Sequence, residues 1–196
     1  MMSRLDNIFQ QKKQPVLNVY FTAGFPFLES TLPVMEALAK NGVEIIELGM
    51  PYSDPLADGP TIQESSAKAI ANGMTIAMLF KQIRHCRQNP YLEKTGIVLM
   101  GYMNPILQYG FERFCADAAN AGVDGLILPD LPAFEFENLY GAIIKKYGLN
   151  FIFLVTPETA EDRVKKLDSL SSGFLYAVSA SATTGGETNF EKVNSY

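Results

Sequence analysis

The residue best placed for chemistry is Glu47, which closes an otherwise apolar run at Ile45-Ile46-Glu47-Leu48. A carboxylate among apolar neighbours loses hydration, which disfavours its charged form and raises its pKa. That suits it to general acid–base work near neutral pH. Glu44 lies three residues earlier, so strand alternation turns it to the opposite face. The loop from Met50 to Pro60 adds two further acids, Asp54 and Asp58, and three prolines, Pro51, Pro55 and Pro60. Prolines stiffen such a loop and can carry Asp58 back over the end of the strand that holds Glu47. Pairing with a nearby base is the structural alternative for Glu47, and turn or capping duty is the alternative for Asp54 and Asp58. Asp54, directly before Pro55, reads as a turn former, and Thr61 reads as the N-cap of the polar segment that follows.

Other chemistries find little support. The single histidine, His85, sits in Arg84-His85-Cys86-Arg87 and reads as a surface residue of a helix. Cys86 and Cys115 have no Cys-x-x-Cys spacing, so neither a disulfide framework nor a metal site is expected, and a reducing cytosol is the default compartment. With 16 basic against 21 acidic residues the net charge is −5, which argues against a nucleic-acid partner. The pairs Lys12-Lys13, Lys145-Lys146 and Lys165-Lys166 read as solvated helix faces. The polar stretch Met1 to Gln14 lacks the apolar centre of a signal peptide, and no run reaches membrane-spanning length.

Elements that could position these residues recur along the chain. Apolar, β-rich runs occupy Val16 to Thr22, Val43 to Leu48, Gly96 to Met100, Gly125 to Leu128, Asn150 to Val155 and Gly173 to Val178. Helical periodicity follows at about Leu28 to Asn41, Thr75 to Asn89, Phe111 to Ala121, Phe134 to Tyr147 and Ala160 to Leu170, and an amphipathic turn leads at Arg4 to Gln11. Strands this continuously apolar are buried on both faces, the habit of parallel sheets with helices outside. With no Gly-x-Gly-x-x-Gly fingerprint, the pattern favours an α/β fold of the (β/α)8 TIM barrel class. Such barrels have eight units and about 250 residues. The expectation is therefore a single incomplete barrel domain over 1–196, lacking roughly the last two βα units.

Barrel active sites lie at the C-terminal ends of the strands. Here those ends carry Phe21-Thr22-Ala23-Gly24, Glu47-Leu48-Gly49, Tyr102-Met103-Asn104-Pro105, Pro129-Asp130-Leu131-Pro132, Thr156-Pro157 and Ser179 to Gly186. The stretch Ile46-Glu47-Leu48-Gly49-Met50-Pro51-Tyr52-Ser53-Asp54-Pro55-Leu56-Ala57-Asp58-Gly59-Pro60 closely resembles the signature of the tryptophan synthase α-subunit family. Supporting matches are Phe21 to Pro26, Met100 to Pro105, Gly122 to Gly125 and Asp130-Leu131-Pro132, so the resemblance runs through essentially the whole chain.

The resemblance implies cleavage of indole-3-glycerol phosphate to indole and glyceraldehyde 3-phosphate, a retro-aldol reaction with no cofactor. It makes Glu47 the acid–base group and Asp58 the acceptor of the indole N–H. It lines the pocket with Tyr20, Met100, Ile127 and Tyr176, and places a closing loop at Thr184 and Gly185. It also implies a partner, a pyridoxal-phosphate β subunit in an αββα assembly, contacted through Pro51, Asp54, Asn104, Pro105, Asp130 and Pro132. Two departures stand out. Ala180 and Ala182 replace a basic residue and a glycine common in the family, and the phosphate-binding backbone expected after strands seven and eight has no counterpart here. Weak phosphate binding and weak or absent activity are therefore expected, which an indole-release assay measures. The alternatives are a non-catalytic docking subunit and another sugar-phosphate lyase or isomerase barrel.

Overall fold

The protein was analysed as a computed structural model, which describes residues 3–11, 15–55 and 58–178. Five strands form an all-parallel sheet in the order β1 (Asn18–Thr22), β2 (Ile45–Gly49), β3 (Gly96–Met100), β4 (Gly125–Ile127) and β5 (Asn150–Phe151). The fifth run is interrupted at Ile152 and Phe153 and resumes as β6 (Leu154–Val155), which pairs in parallel with β7 (Tyr176–Ala177). Sequential parallel strands with helical crossovers are what the alternating apolar runs require.

Each face of the sheet has its own core. Outward-facing Ile46, Leu48, Ile97, Leu99, Leu126 and Phe151 join a large cluster with the helices. Within it lie α2 (Thr31–Lys40), α4 (Ile76–Ile83) and α6 (Phe111–Asn120). Helix α6 buries Phe111, Phe114, Cys115 and Ala118, the spacing of one helical face. Thr75 starts α4 by accepting the backbone N–H of Met78 at 3.1 Å.

The opposite face encloses a smaller cluster of Leu5, Ile45, Val98, Ile127 and Ile152. Leu5 reaches it from α1 (Arg4–Gln11), so the leading helix closes the end of the sheet where the strands begin. Gly96 makes room for it, since a Cβ there would lie 2.8 Å from a Leu5 methyl. Burying a leucine this fully is worth about 1.5–3 kcal/mol.

Several local expectations change. Helix α3 (Pro60–Ala71) starts with Gly59 as N-cap and Pro60 in its first turn, so Thr61 is inside the helix. Proline suits that position because its missing N–H would have no helical partner there. Asn104 and Pro105 belong to a short helix, α5 (Met103–Tyr109). The run from Phe134 contains α7 (Ala133–Glu135), a π turn at Phe136–Tyr140 and α8 (Gly141–Lys146). The helix expected to reach Asn89 ends at Ile83, followed by a 3-10 turn at Cys86–Gln88. A further helix, α9 (Glu161–Leu170), lies where expected. Among the described residues no helix is long and apolar enough to cross a membrane.

Candidate active site

The parallel register places Tyr20 beside Glu47 and Glu47 beside Val98, all on the inner face. Glu47 is only 2% exposed. Its Oε2 accepts a hydrogen bond from Asn18 Nδ2 at 2.8 Å. Burial pushes the Glu47 carboxyl above the ordinary carboxylate range, and the Asn18 bond opposes that shift in part. Among the described residues no basic group pairs with it, and its partner is the Asn18 amide. Glu44, on the other face, accepts the backbone N–H of Leu17 at 2.8 Å.

Asp58 is half-buried, and Tyr102 Oη donates to its Oδ2 at 2.9 Å. Burial raises its pKa too, while the Tyr102 hydroxyl pulls it back. Asp58 lines a narrow cleft with Tyr20, Met50, Met100 and Tyr102. The Tyr52 and Tyr102 rings lie 5.2 Å apart at its edge. Tyr20 reaches across the backbone of Gly49: a Cβ at Gly49 would lie 2.2 Å from the Tyr20 hydroxyl oxygen. Burial holds the Tyr20 phenol up at about 12, so it is a neutral neighbour of both carboxylates.

The expected pocket residues separate by position. Tyr20 and Met100 line the cleft. Ile127 lies fully buried in the inner cluster, and Met100 and Tyr176 pack against that cluster. Tyr176 faces Glu47 closely enough to feel its charge. Thr184 and Gly185 lie outside the described residues, as do Ala180 and Ala182.

At the rim, Asp54 and Asn104 are exposed, and Pro51 and Pro105 are half-buried. Asn104 Nδ2 donates to the Tyr52 hydroxyl at 3.1 Å, tying α5 to the loop after β2. Asp130 and Pro132 are exposed. Both Asp130 carboxylate oxygens accept the Met103 N–H, at 3.0 and 3.1 Å, so Asp130 caps α5 whatever else it does. Pro132 precedes the first turn of α7.

The sequence reading did not assign roles to Asn18, Gly49 and Tyr102. Asn18 had a usable signal, a polar residue two positions before Tyr20 in an apolar strand. The contacts of Gly49 and Tyr102 depend on long-range placement.

A wall of parallel strands flanked by helices, with one carboxylate on its inner face and another at its mouth, places the chain in the TIM barrel class of α/β proteins. The comparisons with known proteins narrow this. The tryptophan synthase alpha chain family matches residues 7–195, and the chain belongs to that family. The tryptophan synthase alpha chain of Parabacteroides distasonis is 47% identical over 191 residues, covering 97% of this chain and 73% of its own length. That of Flavobacterium johnsoniae is 47% identical over 98% of this chain and 74% of its own length. Among solved structures, tryptophan synthase subunit alpha from Legionella pneumophila superposes with a TM-score of 0.84 at 36% identity, over 91% of this chain and 68% of that one. A Mycobacterium tuberculosis tryptophan synthase structure gives 0.86 at 32% identity, over 100% and 77%.

Proposed function

We propose that this protein cleaves indole-3-glycerol phosphate to indole and glyceraldehyde 3-phosphate, with Glu47 as the acid–base group. The observation that carries the reading is Glu47 itself: a 2%-exposed carboxyl on the inner face, held by a neutral amide and raised by burial. A carboxyl raised in this way holds a proton more tightly than an ordinary surface carboxyl, which suits it to acid–base work. Its proton goes to indole C3, making the ring an electron sink. The side-chain hydroxyl next to the bond then gives up its proton as the C–C bond breaks.

Asp58 accepts the indole N–H, which stabilises the positive charge developing on the ring. The Tyr102 hydroxyl supports this by fixing the orientation of Asp58. Tyr20, Met100, Ile127 and Tyr176 supply an apolar, partly aromatic surround suited to a flat ring. No cofactor takes part in this reading.

The same reading docks the protein on a pyridoxal-phosphate β subunit in an αββα assembly, through Pro51, Asp54, Asn104, Pro105, Asp130 and Pro132. Exposed Leu107 and Phe134, at 48% and 74%, lie next to these residues in the chain and supply the apolar contact such a surface needs.

The test is indole release by Glu47→Gln in the presence of the β subunit. Cleavage is expected to disappear while β-subunit binding persists. Cleavage that survives the change removes Glu47 from the mechanism.

A further inference from the structure

Asn18 stands on the inner face of β1, beside Ile45 of β2 in the parallel register. Its Nδ2 donates to Glu47 Oε2 at 2.8 Å. Its Oδ1 is buried and has no hydrogen-bond partner among the described residues. Interior amides are ordinarily bonded at both ends, which locks their orientation. An unpaired buried acceptor works against folding, and a β-branched apolar side chain would suit this strand position without that penalty. A residue that opposes stability while touching the acid–base group is most simply explained by what it does for that group.

We propose that Asn18 is a positioning residue that serves Glu47 in both of its protonation states. With Glu47 ionised, Nδ2 donates to the carboxylate. With Glu47 protonated, the amide turns over and Oδ1 accepts the new O–H. Among the described residues the far end of the amide has no partner to lose, so turning over sacrifices no bond there. Glu47 thereby keeps one orientation while it delivers a proton to the ring and takes one from the hydroxyl. This inference rests on the reading of Glu47 as the acid–base group.

The groups facing Glu47 make its titration separable. β1 contributes Asn18 and Tyr20, β7 contributes Tyr176, and Asp58 lies within electrostatic reach of Tyr20. β2 and β3 offer Ile45 and Val98, and β4 offers Ile127, none of which titrates. Both phenols are raised above their ordinary value by burial and stay neutral through the working range. Among the described residues facing Glu47, that leaves the carboxyls of Glu47 and Asp58, both raised by burial, as the groups to follow.

The experiment is a carbon-13 carboxyl NMR titration of the wild type, Asn18→Val and Asn18→Thr, with the Glu47 signal assigned by its loss in Glu47→Gln. The bond to the ionised form is the stronger of the two, so its loss raises proton affinity. Asn18→Val is expected to increase the proton affinity of Glu47 about tenfold, moving its midpoint up by roughly one pH unit. Asn18→Thr has the same shape as valine but carries a hydroxyl that can donate and accept, and it should fall between valine and wild type. With the β subunit present, kcat should drop in Asn18→Val with KM little changed, and Asn18→Thr should recover part of the loss.

A Glu47 midpoint in Asn18→Val within about 0.2 pH unit of wild type overturns the proposal, since a purely structural role shifts the melting temperature and leaves the titration in place. If Asn18→Val does not fold, a threonine variant titrating at or below the wild-type midpoint overturns it equally. The two readings fail separately. Cleavage surviving in Glu47→Gln defeats the acid–base assignment, whereas lost cleavage with an unmoved Asn18→Val titration defeats only the role of Asn18.

Discussion

Two carboxylates buried in the same sheet are handled in opposite ways. Asp124, just before β4, is 6% exposed and saturated with donors: Arg4 Nη1 at 2.7 Å, the Ile97 N–H at 2.8 Å, and the guanidinium of Arg87. Arg87 also donates to the carbonyls of Leu92, Thr95 and Gly122, so it stitches the starts of β3 and β4 together. Glu47, on β2, is 2% exposed and receives its bond from a neutral amide. Two guanidinium groups pair with the first acid, whereas the second has a neutral amide for its partner and burial raises its pKa. In barrels the end where strands begin carries stability, and Asp124 lies at that end just before β4, whereas Glu47 lies in the middle of β2.

The sharpest way to break this comparison is to exchange the roles experimentally. Glu47→Gln should lower indole release by about 10^2 to 10^4, the usual worth of a general acid–base group. The same change should leave urea unfolding at neutral pH unaltered or shifted to higher urea. A large stability loss would make Glu47 a structural acid like Asp124.

Asp124→Leu should do the reverse. It strands Arg87, which is 17% exposed, without its counter-charge, at a cost of about 3 kcal/mol in urea unfolding. Arg4 is 41% exposed and adds little to that figure because solvent screens it. The Glu47 carboxyl titration in the folded fraction should not move. A shifted titration would show the two ends to be coupled.

Tyr102→Phe tests the second acid at the mouth. Losing the hydroxyl bond to Asp58 should reduce kcat/KM about tenfold, with no change in unfolding beyond about 1 kcal/mol. Unchanged kinetics would mean that Asp58 needs no help to face the ring.

The smallest effect is the pH dependence of stability. Glu47 has a folded pKa above its ordinary 4.5, so the folded state binds the proton more tightly. Its contribution is fully present below the unfolded pKa and is lost as pH rises through the raised folded pKa. Asp58 contributes in the same direction. Relative to Glu47→Gln, the wild type should lose stability from about pH 4.5 upward, read as urea midpoints along a pH series. A wild-type curve that rises relative to the variant would contradict the burial argument.

Much of the site was legible along the chain because its signals are local. Glu47 interrupts an apolar strand, and the proline-stiffened loop carrying Asp58 follows within a dozen residues. Strand alternation separates Glu44 from Glu47 in the sequence; in the fold Glu44 precedes β2 and bonds the Leu17 N–H, while Glu47 bonds the Asn18 amide. What escaped were partners far apart in sequence. Arg87 had no assigned role beside His85, yet it bonds Asp124 across 37 residues. Tyr102 finds Asp58 across 44, and Asp130 caps α5 across 27. Helix ends also shifted, because Gly59 and Pro60 outcompete Thr61 as a start and a π turn interrupts the run after Phe134.

By itself, then, the sequence determined the order of parallel strands and helices, the acid within the second strand and the loop acid beyond it, since periodicity and turn chemistry act over a few residues. Only the tertiary structure decided which of the buried acids is neutralised and which stays protonatable. That depends on whether a guanidinium or an amide arrives from another strand or helix, and no local pattern encodes the arrival.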